Sequence, residues 1–491
     1  MKSSAFLQLG NLFLKNNQAG KAAKMFKLYI EDFPEDFRGY FNLGKALSSQ
    51  RDVECDLIAE AVANFEKALS LNPDIVDAHV SIAALYIKNA KPQLAVSHCQ
   101  VGLTIDSQDT NCLFNLNIAL RQLDRLTDAI ELSRSYISSL RFSPLVQDCS
   151  SIRIPGVGTT GHVFSRSHSA ERSTSSDSVS VVILKWGTKY GQDYVHALVA
   201  ALKRHLSSHI IYNIICFTDD IDSTVSSSDG NIEYRLLPDL STENWRGWWY
   251  KAYLFSQDSG LSGPVLYFDL DTILCSSVDF LAQEVLSSIH ILCTPSTPPP
   301  QKEFSNALLT TSSDFVTTVS CGDDSVRSDF DKFFACLKAS EISNEGRSCG
   351  LNSSIMLWNA TPLSSTSLSC NYLHYLYVYL RENFIEISKV MYKFDHFLEI
   401  MLADRKGIFN GVCLLQNKFP NKIVDFQTAD AMFDGDVSGE GEIDGDYSAA
   451  VVCFPLHPKP HDISDKVWVK RFWQTIQQEV RDGFVTCDSE I

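Results

Sequence analysis

Alanines at four positions set a period on the first 140 residues. Ala22, Ala61, Ala95 and Ala129 stand 39, 34 and 34 residues apart. Other columns keep the same frame: Leu9-Gly10, Leu43-Gly44, Ile82-Ala83 and Leu116-Asn117; Phe26 and Phe65; Pro34 and Pro73. A fixed period of this length means that each unit is one supersecondary hairpin that buries its apolar face only against its neighbours. Small residues at fixed helical positions let two antiparallel helices approach closely, and large apolar ones fill the stacking interface. The longer first interval reflects a five-residue insertion, Arg51-Asp-Val-Glu-Cys55. A generic bundle would show no such period.

This pattern resembles the tetratricopeptide repeat, four copies of it. The fourth departs most, because it lacks the consensus proline and glycine. The resemblance implies an α solenoid over residues 1–142 whose groove recruits a protein or peptide partner.

The pattern stops at about residue 143. Eight serines lie between Ser165 and Ser180, and apolar residues are few, as in a flexible linker over 143–179. The run Gly156-Val157-Gly158-Thr159-Thr160-Gly161 is a formal GxGxxG. A dinucleotide site needs a strand before that loop and a helix after it, and a serine tract follows instead.

From 180 to 480 the periodicity is that of an α/β domain. SVVILKWG (180–187), IIYNIICFTDD (210–220), NIEYRLLPDL (231–240) and GPVLYFDLDTIL (263–274) read as extended segments. YVHALVAALKRHL (194–206) and WWYKAYLFSQ (248–257) read as helices. Alternation of this kind predicts a mostly parallel sheet covered on both faces, with ligands bound outside the carboxyl ends of the strands. Lys185, Asp219-Asp220 and Asp269-Asp271 fall at such ends.

The pair Asp269 and Asp271 carries the chemistry. Two carboxylates at i and i+2, where an apolar strand emerges, can share a divalent cation whose remaining ligands are diphosphate oxygens. Such a metal acts as a Lewis acid on the charge that develops on a nucleoside-diphosphate leaving group. The sequence Asp-Leu-Asp-Thr-Ile also resembles the aspartyl-phosphate motif of haloacid-dehalogenase phosphatases, with Asp269 as nucleophile and Asp271 as acid/base. Those domains open with the motif on their first strand, whereas strands of the same unit precede it here.

Lys185-Trp186-Gly187-Thr188-Lys189-Tyr190-Gly191, Phe217-Thr218-Asp219-Asp220, Gly247-Trp248-Trp249-Tyr250-Lys251 and Tyr267-Phe268-Asp269-Leu270-Asp271 arrive in order. Asn352-Ser353-Ser354, Asp395 in YKFDHF and His457-Pro458-Lys459-Pro460-His461 follow. Together they resemble the GT-A-fold nucleotide-sugar glycosyltransferases of the glycogenin and lipopolysaccharide-galactosyltransferase type, including uncharacterised bacterial relatives.

The resemblance implies a Rossmann-like sheet and a retaining, metal-dependent hexosyl transfer from a UDP-sugar. It makes Tyr190 the platform for the base, Asp219 or Asp220 a base or ribose contact, and Lys185 and Lys251 contacts to the sugar nucleotide. Asp269 and Asp271 would hold manganese or magnesium, Asn352 and Asp395 would recognise the transferred sugar, and Lys459 would bind diphosphate. Asp395 is also the candidate for a carboxylate below the anomeric carbon. Relatives place a metal-binding histidine in Phe-His-Gly-x-Pro-Lys-Pro. Here the run is Phe454-Pro455-Leu456-His457-Pro458-Lys459-Pro460, so His457 is the third metal ligand two residues late, with His461 as the alternative. Repeats joined to a sugar transferase are similar to the O-linked N-acetylglucosamine transferase only in architecture, since that catalytic domain has another fold and no DxD.

Composition narrows the remaining classes. Forty-two basic against 59 acidic residues give a net charge of −17, against nonspecific binding to nucleic acid or anionic membrane. No apolar run reaches the ~20 residues of a membrane span, and the N-terminus lacks the apolar core of a signal peptide. The 14 cysteines show no CxxC pair and are expected as reduced thiols of a cytoplasmic protein. Between Asp269-Asp271 and Asn352 runs a Ser/Thr/Pro-rich insertion containing Pro298-Pro299-Pro300, on the side where acceptors vary. Asp434-Gly-Asp436-Val-Ser438-Gly439-Glu440 mimics a calcium loop, but Gly445 stands where the terminal glutamate belongs, so a solvated acidic loop is expected. The sequons at Asn352 and Asn359 carry meaning only in a secreted chain. The rival to an active transferase is a repeat-based scaffold whose transferase domain is weak or inactive.

Overall fold

A computed structural model of the chain describes residues 2–50, 55–139, 178–220, 232–240, 245, 247–292, 334–338, 351–360, 372–391, 393–402, 412–433, 449–454 and 458–481. The serine-rich segment, the GxGxxG, the proline run, the acidic loop and His457 lie outside the described residues. The chain divides into two compact units, one containing Met1–Ile137 and the other containing two β-sheets.

The first unit consists of tetratricopeptide-like helical repeats. Its helices pair in sequence: α1 (Lys2–Lys15) with α2 (Ala19–Asp32), α3 (Phe37–Ser48) with α4 (Cys55–Leu71), α5 (Val76–Lys88) with α6 (Pro92–Ile105), and α7 (Thr110–Gln122) with α8 (Leu126–Ser139). The four periodic alanines are fully buried at 0% exposure, as are Phe26 and Phe65. The glycines of the first two repeats answer to those rings. A Cβ on Gly10 would come within 2.4 Å of Phe26, and one on Gly44 within 2.8 Å of Phe65. In the fourth repeat, Asn117 occupies the column of Gly44 and Ala83. Its buried amide donates to the Ala129 carbonyl at 3.2 Å, so a hydrogen bond replaces the close apolar contact between α7 and α8.

In the second unit a seven-stranded sheet runs in the order β3-β2-β1-β4-β7-β6-β8. The strands are β1 (Ser178–Lys185), β2 (Ile211–Thr218), β3 (Ile232–Leu236), β4 (Gly263–Phe268), β6 (Phe334–Lys338), β7 (Leu351–Ala360) and β8 (Val412–Leu414). Strands β3, β2, β1 and β4 are parallel, but β7 pairs antiparallel with both β4 and β6. The sheet is therefore mixed, but β6 pairs parallel with β8, so six of these seven strands run one way and β7 alone opposes them, and the expectation of a mostly parallel sheet holds. An apolar run such as that of β7 fits either direction when both faces are covered. A smaller sheet joins β5 (Ile273–Leu274), β10 (Val451–Cys453) and β9 (Ile423–Asp425) in that order.

Val179, Val181 and Ile183 of β1 join one core with α9 (Gln192–His205) and α10 (Asp279–Leu292). The opposite-facing Val182 is also fully buried. Burial on both faces explains why these strands read as continuous apolar runs. The expected helix after the third strand is a 3₁₀ helix, Gly247–Phe255, that buries Lys251 among Trp249, Tyr250 and Tyr253. Among the described residues no helix is long and apolar enough to cross a membrane.

Candidate functional site

The carboxyl ends of β1, β2 and β4 lie side by side, with Lys185 opposite Thr218 and Ile183 opposite Phe268. Because β7 runs the other way, its first residues pass the end of β4. The backbone N–H of Asp269 donates to the Ser354 carbonyl at 2.8 Å, tying the turn after β4 to that strand.

Asp269 accepts a hydrogen bond from the Tyr267 hydroxyl at 2.6 Å and pairs with Lys251 Nζ, 2.8 Å from Oδ1. The same ammonium donates to the Ser353 carbonyl at 3.1 Å and to its hydroxyl at 3.0 Å. An ammonium has three protons, so these contacts satisfy it. Ser353 in turn donates its hydroxyl to Asp395 Oδ1, and its N–H reaches the same oxygen at 3.2 Å. Asp269, Lys251, Ser353 and Asp395 thus form one buried polar chain linking β4, the 3₁₀ helix, β7 and the helix Phe394–Leu402.

Asp271 is held separately. Lys459 Nζ lies 2.6 Å from its Oδ2 and 2.6 Å from the Phe454 carbonyl, and the Tyr190 hydroxyl donates to Oδ2 at 2.7 Å. Burial pushes the Asp269 carboxyl up, but the Lys251 charge and its hydrogen bond outweigh it and hold the group below the usual carboxylate range. Burial, then the adjacent carboxylates, drive the Tyr267 and Tyr190 phenols upward, so both remain protonated donors. Burial, and then the Lys459 charge, lower Lys189.

The structure brings Tyr190, Lys251, Asp269, Asp271, Asp395 and Lys459 into this cluster. Asn352 stands beside it and turns its Oδ1 onto the Ser354 N–H at 2.9 Å. Lys185 is buried at the end of β1. Asp219 and Asp220 remain on an exposed turn, where Asp219 accepts from the Gly187 N–H at 2.9 Å. His461 meets the Tyr194 hydroxyl at 2.5 Å and stands 3.4 Å from Asp462. Sequence reasoning missed Tyr267 and Ser353 as partners of the carboxylates. Tyr267 had a signal, since residues two apart on a strand share a face.

Two carboxylates near the mouth of a strand are a donor set suited to a hard divalent cation. Both partners of Asp271 take Oδ2. One residue on, the buried Thr272 hydroxyl has no hydrogen-bond partner. The donor chemistry of Asp269 and Asp271 therefore fits a hard divalent cation such as manganese or magnesium. No group of three or more potential metal ligands occurs among the described residues.

No protein-family model matches the chain, and no curated protein matches it. Solved structures do. MamA from Desulfovibrio magneticus RS-1 is 20% identical over 27% of this chain and 72% of its own, with a TM-score of 0.25. YrrB, described as a TPR protein with an unusual peptide-binding site, is 20% identical over 26% of this chain and 63% of its own, at a TM-score of 0.24. The TPR2B domain of yeast Sti1, solved with pHsp70, is 25% identical over 23% of this chain and 86% of its own, at 0.20.

Proposed function

We propose that the chain is a glycosyltransferase that takes a sugar from a nucleoside-diphosphate donor, UDP-linked by resemblance, and recruits a protein or peptide partner through its helical repeats. The observation that carries the catalytic half is the convergence of Asp269, Asp271, Lys251, Lys459, Tyr190 and Asp395 beyond the carboxyl ends of β1 and β4. Open α/β sheets bind ligands at that edge. The repeats support the recruiting half, because stacked helical hairpins present an extended groove.

A divalent cation on Asp269 and Asp271 would neutralise charge developing on the departing diphosphate. Lys459 supplies an ammonium for the phosphate oxygens, already oriented by a backbone carbonyl as well as a carboxylate. Lys251 adds its positive charge nearby while its protons stay on Asp269 and Ser353. Tyr190 offers its ring to the base and keeps its proton on Asp271. Asp395, fixed by two donors of Ser353, is the carboxylate for the anomeric carbon. In the transfer, the bond from anomeric carbon to diphosphate oxygen breaks with its electron pair on the diphosphate. An acceptor hydroxyl oxygen bonds that carbon and gives up its proton to the departing group.

A second reading is favoured by the ion pairs themselves. Asp269 sits on Lys251 and Asp271 on Lys459, so a cation meets carboxylates already neutralised. The chain would then be a repeat-based binding scaffold with a weak or inactive transferase unit. Manganese-dependent hydrolysis of a panel of UDP-sugars separates the two. Turnover that disappears in Asp269→Asn supports the transferase; no turnover with any donor, metal present, leaves the scaffold.

A further inference from the structure

Beside the carboxylate cluster lies a cleft of about 660 Å³ that the donor site does not use. Small-molecule sites fall in this size range. Tyr194 and Trp473 form its aromatic wall, with ring centroids 5.2 Å apart. Gln474, Gln477, Gln478, Ser464 and Thr475 supply neutral polar groups. Lys189, Asp193, His461 and Lys470 supply ionisable ones of both signs. Carboxamides and hydroxyls both donate and accept, which matches vicinal sugar hydroxyls, while the parts of the buried Tyr194 and Trp473 that reach the cleft supply apolar contact for C–H groups.

The backbone gives a second, independent sign. The C-terminal helix over 467–481 is interrupted by a π-helical turn, Lys470–Gln474, between α-helical Val467–Val469 and Thr475–Arg481. Single π turns are rare and cluster at functional sites. Lys470, Trp473 and Gln474, three residues of this one turn, line the cleft. Two of its other walls lead to the carboxylates. Lys189 precedes Tyr190, which donates to Asp271, and His461 follows by two residues Lys459, which pairs with Asp271.

We propose that this cleft binds a saccharide, and, resting on the glycosyltransferase reading, that the saccharide is the acceptor. The insertion after Asp271 is then not needed to form the acceptor site.

The test titrates the full chain by calorimetry with short neutral oligomers of glucose, galactose and N-acetylglucosamine, with inorganic phosphate, and separately with UDP plus manganese. The partly buried Gln474 and exposed Gln478 are replaced together as Gln474→Ala/Gln478→Ala. At least one oligomer is expected to bind, about tenfold more weakly in the variant, the ratio that loss of a hydrogen bond or two carries, with UDP binding unchanged. Failure of every oligomer to bind, or equal binding in the variant, overturns the proposal. Phosphate binding that Lys470→Ala removes, without any saccharide binding, also overturns it and makes the cleft an anion site. Saccharide binding without UDP binding upholds the cleft as a saccharide site and sinks the donor reading instead.

Discussion

Lys459 Nζ stands 2.6 Å from Asp271 Oδ2 with the two side chains only 9% and 8% exposed. Asp271 is therefore part of a buried ion pair as well as a candidate metal ligand. Removing one partner strands the other charge away from water, which costs about 3 kcal/mol, whereas removing both can be nearly neutral. Asp271→Asn is expected to destabilise the α/β unit by roughly that amount, and Asp271→Asn/Lys459→Met by less. All seven tryptophans, from Trp186 to Trp473, lie outside the repeats, so tryptophan fluorescence in urea follows this unit alone. A double variant less stable than the single one would contradict the pairing.

Ser353 joins Lys251 to Asp395 and touches no proposed substrate atom, so it acts by positioning. Ser353→Ala removes a hydroxyl that both accepts from the ammonium and donates to the carboxylate. The expected result is about a fivefold lower kcat for manganese-dependent UDP-sugar hydrolysis, with KM less affected, since a net hydrogen bond is worth about 1 kcal/mol. Ser353→Thr keeps the hydroxyl and should restore part of the rate. Unchanged kcat in Ser353→Ala would remove Ser353 from the site.

The repeats were legible because their signal is repeated: four alanines in one column report four copies of one packing problem. The column of Asn117 was legible with them, but its buried hydrogen bond was not, since the acceptor is a carbonyl twelve residues away that only the folded hairpin supplies. In the α/β unit, β1, β2 and β4 announced themselves as apolar runs ending in charge. The direction of β7 did not, and with it went Ser353, which meets Lys251 only because β7 returns antiparallel past the end of β4. The acids at Asp219 and Asp220 looked equivalent to Asp269 and Asp271 as strand-end carboxylates. The difference lies in what the fold brings to them: buried ammoniums of Lys251 and Lys459 at Asp269 and Asp271, against a backbone N–H of Gly187 at the exposed Asp219, and no local pattern encodes that.

Two glycines of the repeats should respond in opposite directions to alanine. Gly44→Ala forces a Cβ to within 2.8 Å of the Phe65 ring, a fully buried side chain with nowhere to move. Overpacking of this kind costs about 1–3 kcal/mol. Gly20 lies in the first turn of α2, and nothing stands within 4 Å of an added Cβ. Gly20→Ala should stabilise by about 0.4–1 kcal/mol through a less flexible unfolded chain. Thermal melts read by helical circular dichroism give both signs.

The repeats also carry a built-in response to acid. His79 Nδ1 and His98 Nδ1 lie 3.1 Å apart, so one neutral ring donates to the other, and protonating both would remove the acceptor. Burial, and then the charge of His98, lower His79; burial lowers His98. The unfolded chain titrates near the ordinary value of 6.5. Above that pH both states are neutral and the pair has no effect on the pH dependence. Below it the unfolded chain binds protons that the folded pair resists, so stability falls as the pH drops from 6.5 towards the lowered folded values. Each group contributes a slope of up to about 1.4 kcal/mol per pH unit in that window. The helical melt should therefore drop between pH 7.5 and 5.5 in the wild-type chain, and the drop should shrink in His79→Leu/His98→Leu. An unchanged slope in the double variant would assign the acid response to other groups.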